Sequence, residues 1–247
     1  ELHGFGRLAR FRDASSQWRR LLDELEAHSP DHVLLTGDLT AMGHPEELEW
    51  MRKTVEPLLR AGRLTLIPGN HDRYVAPKAF ETVFADALES DLPELADEHG
   101  YPFVKLLGDD TALVGLDSTR VSGWSQYFVG RLGQRQLAAL EKVLVHPRLE
   151  GRTVHVLSHH GPLSSDGRRE WIESALIDGP ALLELIRRHR VVLHHGHAHR
   201  RSWHRRTEAR PHLIGAGSST EPGRAGFWII DADDHHDVEA RFVPPSR

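Results

Sequence analysis

The 247-residue sequence contains no cysteine. A chain without cysteine cannot form disulfides, bind metals through thiolates or use a thiolate as a nucleophile. The sequence also lacks an apolar run approaching the roughly 20 residues that a membrane-spanning helix needs, and its start shows no signal-peptide pattern. We therefore expect a cytoplasmic protein without a transmembrane segment, although a leader removed upstream of Glu1 would leave the same sequence.

A strong excess of one charge is absent as well. Lys and Arg number 31 against 36 Asp and Glu, which gives a formal net charge of -5. This mild acidity does not favour duplex nucleic acid or an anionic membrane as the main partner. No repeat, low-complexity tract or Pro/Gly/Ser-rich linker divides the chain, so we expect one domain over residues 1–247. A homodimer is compatible with the sequence, which does not specify an oligomeric state.

Short apolar runs alternate with amphipathic stretches along the chain, which predicts an α/β or α+β layered fold. The predicted helices cover residues 15–28, 45–62, 133–144 and 179–189, with Pro57 as a candidate kink in the second. The predicted strands cover residues 32–36, 63–68, 111–117, 153–158, 190–194, 212–217, 226–231 and 238–243.

Histidine is abundant, with 19 residues, and many histidines stand where a predicted strand ends. Four such strand ends run into turns that carry Asp, Asn or His: Gly37-Asp38, Gly69-Asn70-His71-Asp72, His159-His160 and Gly196-His197-Ala198-His199. In open α/β sheets, ligands bind in the crevice beyond the carboxyl ends of the strands. The four turns are therefore predicted to converge on one site.

Imidazole, carboxylate and amide donors without sulfur suit divalent ions such as Mn, Fe or Zn. The candidate donors are Asp38, Asn70, His159, His197 and His199, with His3 nearby. They are too many for one octahedron but would fill two adjacent coordination spheres if Asp38 bridged two ions. A dinuclear pair can hold a bridging hydroxide and stabilise an in-line displacement at phosphorus. This donor set predicts a phosphoester hydrolase.

The four turns, in this order, resemble the motifs of the calcineurin-like metallophosphoesterases. The segments "GLDST", "GRLGQRQLAALEKVL" and "GAGSST…GFWIID" are similar to the cyclic-nucleotide phosphodiesterase (class III) branch of that family. The resemblance implies a four-layered α/β/β/α sandwich with two mixed sheets and a metal site at the carboxyl ends of the strands. It also implies two divalent ions and a small phosphoester substrate, most naturally a phosphodiester, with a nucleotide as one candidate.

The resemblance also implies a role for each matching residue. Asp38 would bridge both metals, Asn70, His159 and His197 would complete the second site, and His3 and His199 would serve the first. His71 would donate a proton to the leaving oxygen, Asp72 would orient the His71 ring, and Asn70 would help to hold the phosphoryl oxygens. Arg73 would reach a substrate phosphate.

Further candidates for substrate binding surround these turns. Arg200 follows the last metal-ligand turn, and Arg168 lies in the connection after His159-His160. His160 is equally compatible with packing beside the site and with substrate contact, whereas His194 and His195 are interpreted as structural or supporting residues. Residues 121–131 and 164–174 are candidate pocket walls, although core or subunit-contact roles fit Trp124, Tyr127, Phe128 and Trp171 equally well. The basic stretch 199–210 is interpreted as a solvated hairpin rather than a nucleic-acid patch.

The first motif departs from the family pattern. Glu1 stands where the family has an aspartate, and the apolar strand that precedes this position in the family is absent. A glutamate is one methylene longer, so Glu1 would fit the position of a metal ligand only in part. The first metal site is therefore less well specified than the second.

Two alternatives stay open at this stage. On the same core, the enzyme would be a nuclease or a nucleotide-sugar lipid pyrophosphohydrolase, since these differ in loops rather than in metal ligands. A protein of another class, a non-catalytic binding scaffold with a decayed metal site, is compatible with the anomalous first motif.

Overall fold

The computed structural model describes residues 13–120, 128–168, 176–208, 211–232 and 238–245. Its helices are α1 (Ala14–His28), α2 (Pro45–Arg60), α3 (Ala79–Val83), α4 (Gly133–Leu144) and α5 (Gly179–Ile186). Its strands are β1 (Val33–Leu35), β2 (Leu64–Leu66), β3 (Phe103–Leu107), β4 (Thr111–Gly115), β5 (Thr153–Leu157), β6 (Val191–His195), β7 (Arg201–His204), β8 (His212–Ala216), β9 (Phe227–Ala232) and β10 (Val238–Val243). Short 3-10 turns cover His71–Arg73, Ala85–Leu88, Pro93–Leu95 and Pro147–Leu149.

The largest sheet has six strands in the order β3-β4-β5-β6-β8-β7. Strands β4, β5, β6 and β8 run parallel, and β3 and β7 pair antiparallel at the two edges. The parallel strands are nearly continuous apolar runs, as expected for strands covered on both faces. Their carboxyl ends therefore lie along one edge of the sheet.

Two smaller sheets accompany it among the described residues. Strands β1 and β2 pair in parallel, with Val33 opposite Leu64, and β9 and β10 form an antiparallel pair. The predicted mixed α/β fold is confirmed. The strands of the described residues fall into three sheets, and the four-layered arrangement with two sheets stays a prediction.

The helices match the predicted segments closely. Helix α2 begins at Pro45, and the Glu47 carboxylate accepts a hydrogen bond from the His44 backbone N–H at 3.1 Å. This contact is half of a capping box, which stabilises a helix start. The helix continues through Pro57 to Arg60 without a break. No helix in the described part of the chain is both long enough and apolar enough to cross a membrane.

Alternate residues of the parallel strands pack against different partners. Val154, Val156 and Leu193 belong to the largest hydrophobic cluster, which includes residues of α4 and α5. Leu157 packs with Ile67 beyond β2, and Val192 packs with residues of β9 and β10. A separate cluster joins α1, α2 and α3 to β1 and β2. These contacts fix the position of both small sheets relative to the large one.

A pair of buried histidines lies on neighbouring strands. His155 Nδ1 of β5 is 2.9 Å from His194 Nε2 of β6, and the two rings are stacked. Burial lowers the pKa of His155 to about 4, and burial followed by the charges of His155 and His195 lowers the pKa of His194 well below its usual value. Both rings are therefore neutral at neutral pH, in agreement with the structural role predicted for His194.

The His155 ring should make the protein less stable in mild acid. In the unfolded chain His155 binds a proton near pH 6.5, whereas in the folded protein it does so only near pH 4. Stability is therefore retained above pH 6.5 and lost as the pH falls from 6.5 to 4, by about 3 kcal/mol for this one group. Urea unfolding at a series of pH values should show a flatter decline for His155→Gln than for the wild type.

The matched control for this experiment is His99→Gln, because the side chain of His99 is 57% exposed. The His99 variant should follow the wild-type dependence of stability on pH. Equal slopes for the wild type and His155→Gln between pH 6.5 and 4 would contradict the assignment of the acid sensitivity to His155.

Candidate metal centre

The structure brings together four of the side chains predicted to meet beyond the strand ends. His159 Nε2 lies 3.0 Å from Asn70 Oδ1 and 3.3 Å from Asp38 Oδ1. His197 Nδ1 lies 3.1 Å from the same Asn70 oxygen. Asp38 and Asn70 follow β1 and β2, whereas the two histidines follow β5 and β6. The site is therefore formed where the edge of the small parallel sheet meets the edge of the large one.

The backbone at this site adopts an uncommon conformation. Among the described residues, four that are not glycine have a positive φ, and three of them are Asp38 (56°), His197 (60°) and His199 (51°). The fourth, Ser29, simply ends helix α1. Left-handed backbone at a non-glycine residue costs energy and is concentrated at functional sites. The turns are therefore shaped to aim these three side chains.

Two glycines permit the close approach of the first two turns. A Cβ atom at Gly69 would lie 2.1 Å from the Asp38 backbone nitrogen, and one at Gly37 would lie 2.5 Å from the Gly69 nitrogen. Real side chains never come this close, so only glycine fits at either position. The glycines noted in the sequence are thus required by contact between the turns as well as by their curvature.

The hydrogen bonds of His159 leave a lone pair facing oxygen atoms. Its Nδ1 is 2.7 Å from the Thr36 carbonyl oxygen and must donate to it. In a neutral ring Nε2 then carries no hydrogen, yet it faces the oxygens of Asn70 and Asp38. Three acceptor atoms converge, and such a cluster needs a proton or a metal cation between them.

The charges around His159 and Asp38 agree with this interpretation. Burial opposes the charged form of Asp38, but His159, His71 and His197 together outweigh burial and hold the Asp38 pKa well below its usual value. Burial also opposes protonation of His159, but Asp38, the Thr36 carbonyl and Asp72 together outweigh burial and raise the His159 pKa. Without a metal, a proton therefore neutralises the pair. A divalent cation would take its place and release that proton.

His197 and Asn70 are oriented in a similar way. His197 Nε2 lies 3.1 Å from the Phe128 carbonyl oxygen and donates to it, so Nδ1 presents a lone pair to Asn70 Oδ1. The Asn70 amide nitrogen donates to the Tyr74 hydroxyl at 2.5 Å, which turns the amide oxygen towards both histidines. Burial, with a smaller effect of His159, lowers the pKa of His197 to about 3. A neutral imidazole and a fixed amide oxygen fit a divalent cation.

His71 lies beside this cluster, and its surroundings differ from the prediction. Its backbone N–H donates to Asp38 Oδ1 at 3.0 Å, and its ring Nδ1 lies 2.8 Å from the Ala41 carbonyl oxygen. The prediction that Asp72 orients the His71 ring is therefore wrong, because the Ala41 carbonyl occupies that position. With Nδ1 as the donor to Ala41, Nε2 is the other ring atom that can exchange a proton, and it lies 3.3 Å from the Tyr74 hydroxyl oxygen.

Asp72 instead holds the turn that carries Asp38. Its carboxylate accepts hydrogen bonds from the backbone N–H groups of Gly69, Leu39 and Thr40 and from the Thr40 hydroxyl. Burial, followed by the charge of Asp38, raises the pKa of Asp72 to about 6. Asp72 therefore ties the first two turns together rather than touching the His71 ring.

Arg73 also differs from its predicted role. Its guanidinium bonds to Glu81 and to Asp117, with Nη2 at 2.8 Å from the Asp117 carboxylate, and its Nε donates to Thr119 at 2.6 Å. Only 14% of the side chain is exposed. Two carboxylates neutralise Arg73, so it stabilises the chain beyond β4 and does not point a free charge at a substrate phosphate.

The remaining predicted residues divide into three groups. His160 is buried beside His159 and His197, and the three rings offer nitrogen atoms within 4.8 Å of one another. Arg200 is exposed next to the last turn, whereas Arg168 is 87% exposed and lies 3.7 Å from Asp166. Glu1, His3, Trp124, Tyr127 and Trp171 lie outside the described residues, as do most of the two predicted pocket walls. Phe128, which is described, is exposed.

Three supporting residues were not predicted from the sequence. Glu221 is buried, and its carboxylate lies 3.5 Å from His199 Nδ1. Carboxylates commonly orient metal-binding histidines in this way. Tyr74 orients Asn70, and Ser118 contacts the His160 ring. Because Tyr74 stands four residues after Asn70 in a helical turn, the sequence could have predicted their contact. Ser118 and Glu221 come from distant segments, so their contacts could not be predicted in this way.

The site opens into a cavity of about 2090 Å³, whose lining includes Asp38, His159, His197 and His199. Residues of β1 and of β9 also line this cavity. Part of its wall is apolar, including Trp18 and Trp228. The polar side chains of the cluster therefore face a space large enough to admit a small molecule.

Comparison with known proteins gives a family match over most of the chain. The model of the calcineurin-like phosphoesterase family matches residues 2–201. A solved dimetal phosphatase from Danio rerio has a similar fold, with a TM-score of 0.55 and 19% identity over 97% of this chain and 83% of that one. All four predicted turns fall within the matched residues.

Two curated relatives are similar in sequence. A probable cyclic nucleotide phosphodiesterase of Rhodococcus erythropolis is 32% identical over 155 residues, which are 61% of this chain and 46% of that protein. A probable glycerophosphodiester phosphodiesterase GpdQ of Arcobacter nitrofigilis is 28% identical over 175 residues, 69% of this chain and 57% of that protein. The chain thus spans about half the length of the curated relatives it matches.

Proposed function

Because the chain belongs to the calcineurin-like phosphoesterase family, we propose that it is a metal-dependent hydrolase of phosphodiesters. The observation that carries this proposal is the convergence of acceptor atoms from Asp38, Asn70 and His159, with the His197 lone pair directed at the same amide oxygen. Such a cluster of lone pairs needs a proton or a cation between them, and its donor types suit a divalent cation. The cofactor is therefore a divalent ion, and Mn, Fe and Zn suit these donors.

We propose two such ions, as the family resemblance implies. Asp38, Asn70, His159 and His197 would hold the second, and Asp38 and His199 would hold the first together with His3 and, in part, Glu1. When bound, the ions would supply Lewis-acid polarisation of the phosphoryl group and lower the pKa of the attacking water. The contact between Glu221 and His199 supports a metal role for His199, because the carboxylate steadies the imidazole.

The residues around the ions prepare the site for the reaction. Thr36 and Phe128 each accept a hydrogen bond from one metal-ligand histidine and so direct the other ring nitrogen inward. Tyr74 holds the Asn70 amide with its oxygen inward. Because these hydrogen bonds exist before a substrate arrives, the site pays little reorganisation energy during the reaction.

His71 is placed to transfer a proton. The Ala41 carbonyl fixes Nδ1 as a donor, and a neighbouring backbone contact with Asp38 holds the residue at the edge of the metal cluster. We propose that Nε2 carries a proton to the oxygen of the departing alcohol. General acid catalysis of this kind is most valuable when the leaving group is a poor one.

A phosphodiester is favoured over a monoester because both curated relatives are named as probable phosphodiesterases. A small phosphodiester, with a nucleotide as one candidate, also suits the mild acidity of the chain better than duplex nucleic acid does. Arg200 stays a candidate for substrate contact, because it is exposed directly after the His197–His199 turn.

The test is an assay on purified protein that has been stripped of metal and reloaded separately with Mn, Fe(II) or Zn. We expect hydrolysis of bis(p-nitrophenyl) phosphate that depends on added metal and exceeds hydrolysis of p-nitrophenyl phosphate. A cyclic nucleotide, single-stranded DNA and a pyrophosphate-linked lipid would then distinguish a phosphodiesterase from the nuclease and pyrophosphohydrolase alternatives. Failure to take up metal, together with no hydrolysis of any substrate, would instead indicate a binding scaffold.

A further inference from the structure

His160 is fully buried beside the metal cluster, and the Ser118 side chain contacts both its ring and its backbone N–H. Its backbone N–H donates to the Ser118 hydroxyl oxygen at 3.1 Å, and its ring Nδ1 lies 2.9 Å from the same oxygen. The ring packs directly over Gly130, where a Cβ atom would come within 2.4 Å of it. His160 therefore has little freedom to rotate.

The other ring nitrogen has no such contact. His160 Nε2 is buried and has no hydrogen-bond partner within the part of the chain that the structure describes. It lies in the same group of nitrogen atoms as His159 and His197, all within 4.8 Å, and its ring centroid is 4.3 Å from that of His197. A buried polar atom without a partner needs an explanation, and here it is directed towards the place where a ligand would bind.

The hydrogen bonds of Ser118 determine which ring nitrogen carries the hydrogen. Ser118 is fully buried, and its oxygen already accepts from the His160 backbone. Its own hydrogen needs an acceptor, and among the contacts of the described residues His160 Nδ1 is the acceptor within reach. If the hydroxyl donates to Nδ1, a neutral imidazole must carry its hydrogen on Nε2. An N–H group cannot coordinate a cation.

We propose that Ser118 fixes His160 in the tautomer with hydrogen on Nε2, so that His160 offers a neutral N–H donor to a phosphoryl oxygen of the substrate. His160 is then a substrate contact and not a third imidazole ligand, although its position beside His159 and His197 would allow either. A phosphodiester anion has two unesterified oxygens that accept such bonds, and a donor fixed in advance binds them at low entropic cost. This inference rests on the proposed function.

The tautomer can be measured without any activity. Two-dimensional proton–nitrogen spectra of zinc-loaded protein with nitrogen-15-labelled histidine distinguish the two neutral tautomers, and comparison with His160→Gln identifies the His160 signals. We expect hydrogen on Nε2 in the wild type and a shift towards hydrogen on Nδ1 in Ser118→Ala. The matched control is Ser158→Ala, because Ser158 is also buried and donates to the His160 backbone carbonyl at 3.0 Å instead of to the ring.

The donor role is tested with inorganic phosphate as the probe. Titration of zinc-loaded protein should show phosphate binding that weakens about 10-fold or more in His160→Leu and Ser118→Ala, as expected when a hydrogen bond to a charged group is lost. His160→Gln, which keeps an N–H group near the same place, should lose less. Zinc content measured by elemental analysis should be the same in all variants.

Several results would overturn this inference. Hydrogen on Nδ1 in the wild type, or loss of bound zinc in His160→Leu, would make His160 a metal ligand instead. Unchanged phosphate affinity in His160→Leu would remove it from substrate binding. Absence of phosphodiester hydrolysis by the wild type would count against the proposed function alone, since the tautomer and phosphate measurements do not depend on turnover.

Discussion

Replacing Asp38 with asparagine is expected to lower kcat/KM for a phosphodiester by at least about 1000-fold, equivalent to about 4 kcal/mol of transition-state stabilisation. Asp38 is the carboxylate closest to His159, at 3.3 Å, and it also accepts the backbone N–H of His71. Asparagine keeps an oxygen and the size of the side chain but removes the negative charge that two cations would share. The loss should therefore come from weaker metal binding rather than from misfolding.

Elemental analysis and calorimetric titration with Mn should show fewer bound ions per chain in Asp38→Asn than in the wild type. Asp23→Asn, on the exposed side of α1, makes the same chemical change away from the site and should retain full metal content and activity. An unfolding midpoint close to that of the wild type would show that the fold survives. Full metal content together with full activity in Asp38→Asn would exclude Asp38 as a bridging ligand.

The fold was predictable where local pattern and tertiary packing agree. The apolar periodicity of the sequence predicts the four long helices and most of the strands. The match of the family model over residues 2–201 confirms the family resemblance. Strand β3, Phe103–Leu107, was not predicted from the sequence. The residues "GDD" that follow it are a hairpin signal, but this signal indicates a strand only when β3 and β4 are recognised as a pair. Strand β7, Arg201–His204, was predicted only as part of a solvated hairpin, because its charged and polar residues do not form an apolar run.

The sequence predicts which strand ends carry the site residues, but it does not predict which side chains contact each other. Position after a strand was sufficient to group Asp38, Asn70, His159 and His197, because parallel strands bring their carboxyl ends to one edge. Adjacency in sequence failed for Asp72, which lies next to His71 but bonds to the turn 33 residues earlier.

Arg73 shows the same limit more strongly. Its position directly after the Gly69-Asn70-His71-Asp72 turn suggested a free cation near the substrate, but Asp117, which follows β4 and lies 44 residues away in sequence, binds it. Asp117 is buried, and although burial opposes its charge, Arg73 and Arg120 hold its pKa below the usual value. A long-range ion pair of this kind is decided by how strands pair, which a single sequence does not specify.

Replacing His71 with alanine is expected to lower kcat by about 100- to 10,000-fold for a phosphodiester with an alkyl leaving group, the range for loss of a general acid. His71 is not one of the three clustered imidazoles, and its Nδ1 is engaged by the Ala41 carbonyl, so bound metal should be unchanged. For bis(p-nitrophenyl) phosphate the loss should be much smaller, because p-nitrophenolate departs without needing a proton.

This dependence on the leaving group separates proton transfer from a structural effect. A structural defect in His71→Ala would lower the rate for both substrates equally, and it would lower the metal content or the unfolding midpoint as well. The exposed His99→Ala variant is the matched control and should behave as the wild type with both substrates. Equal losses with the two leaving groups would remove His71 from the proton transfer and leave only a role in binding the phosphoryl group.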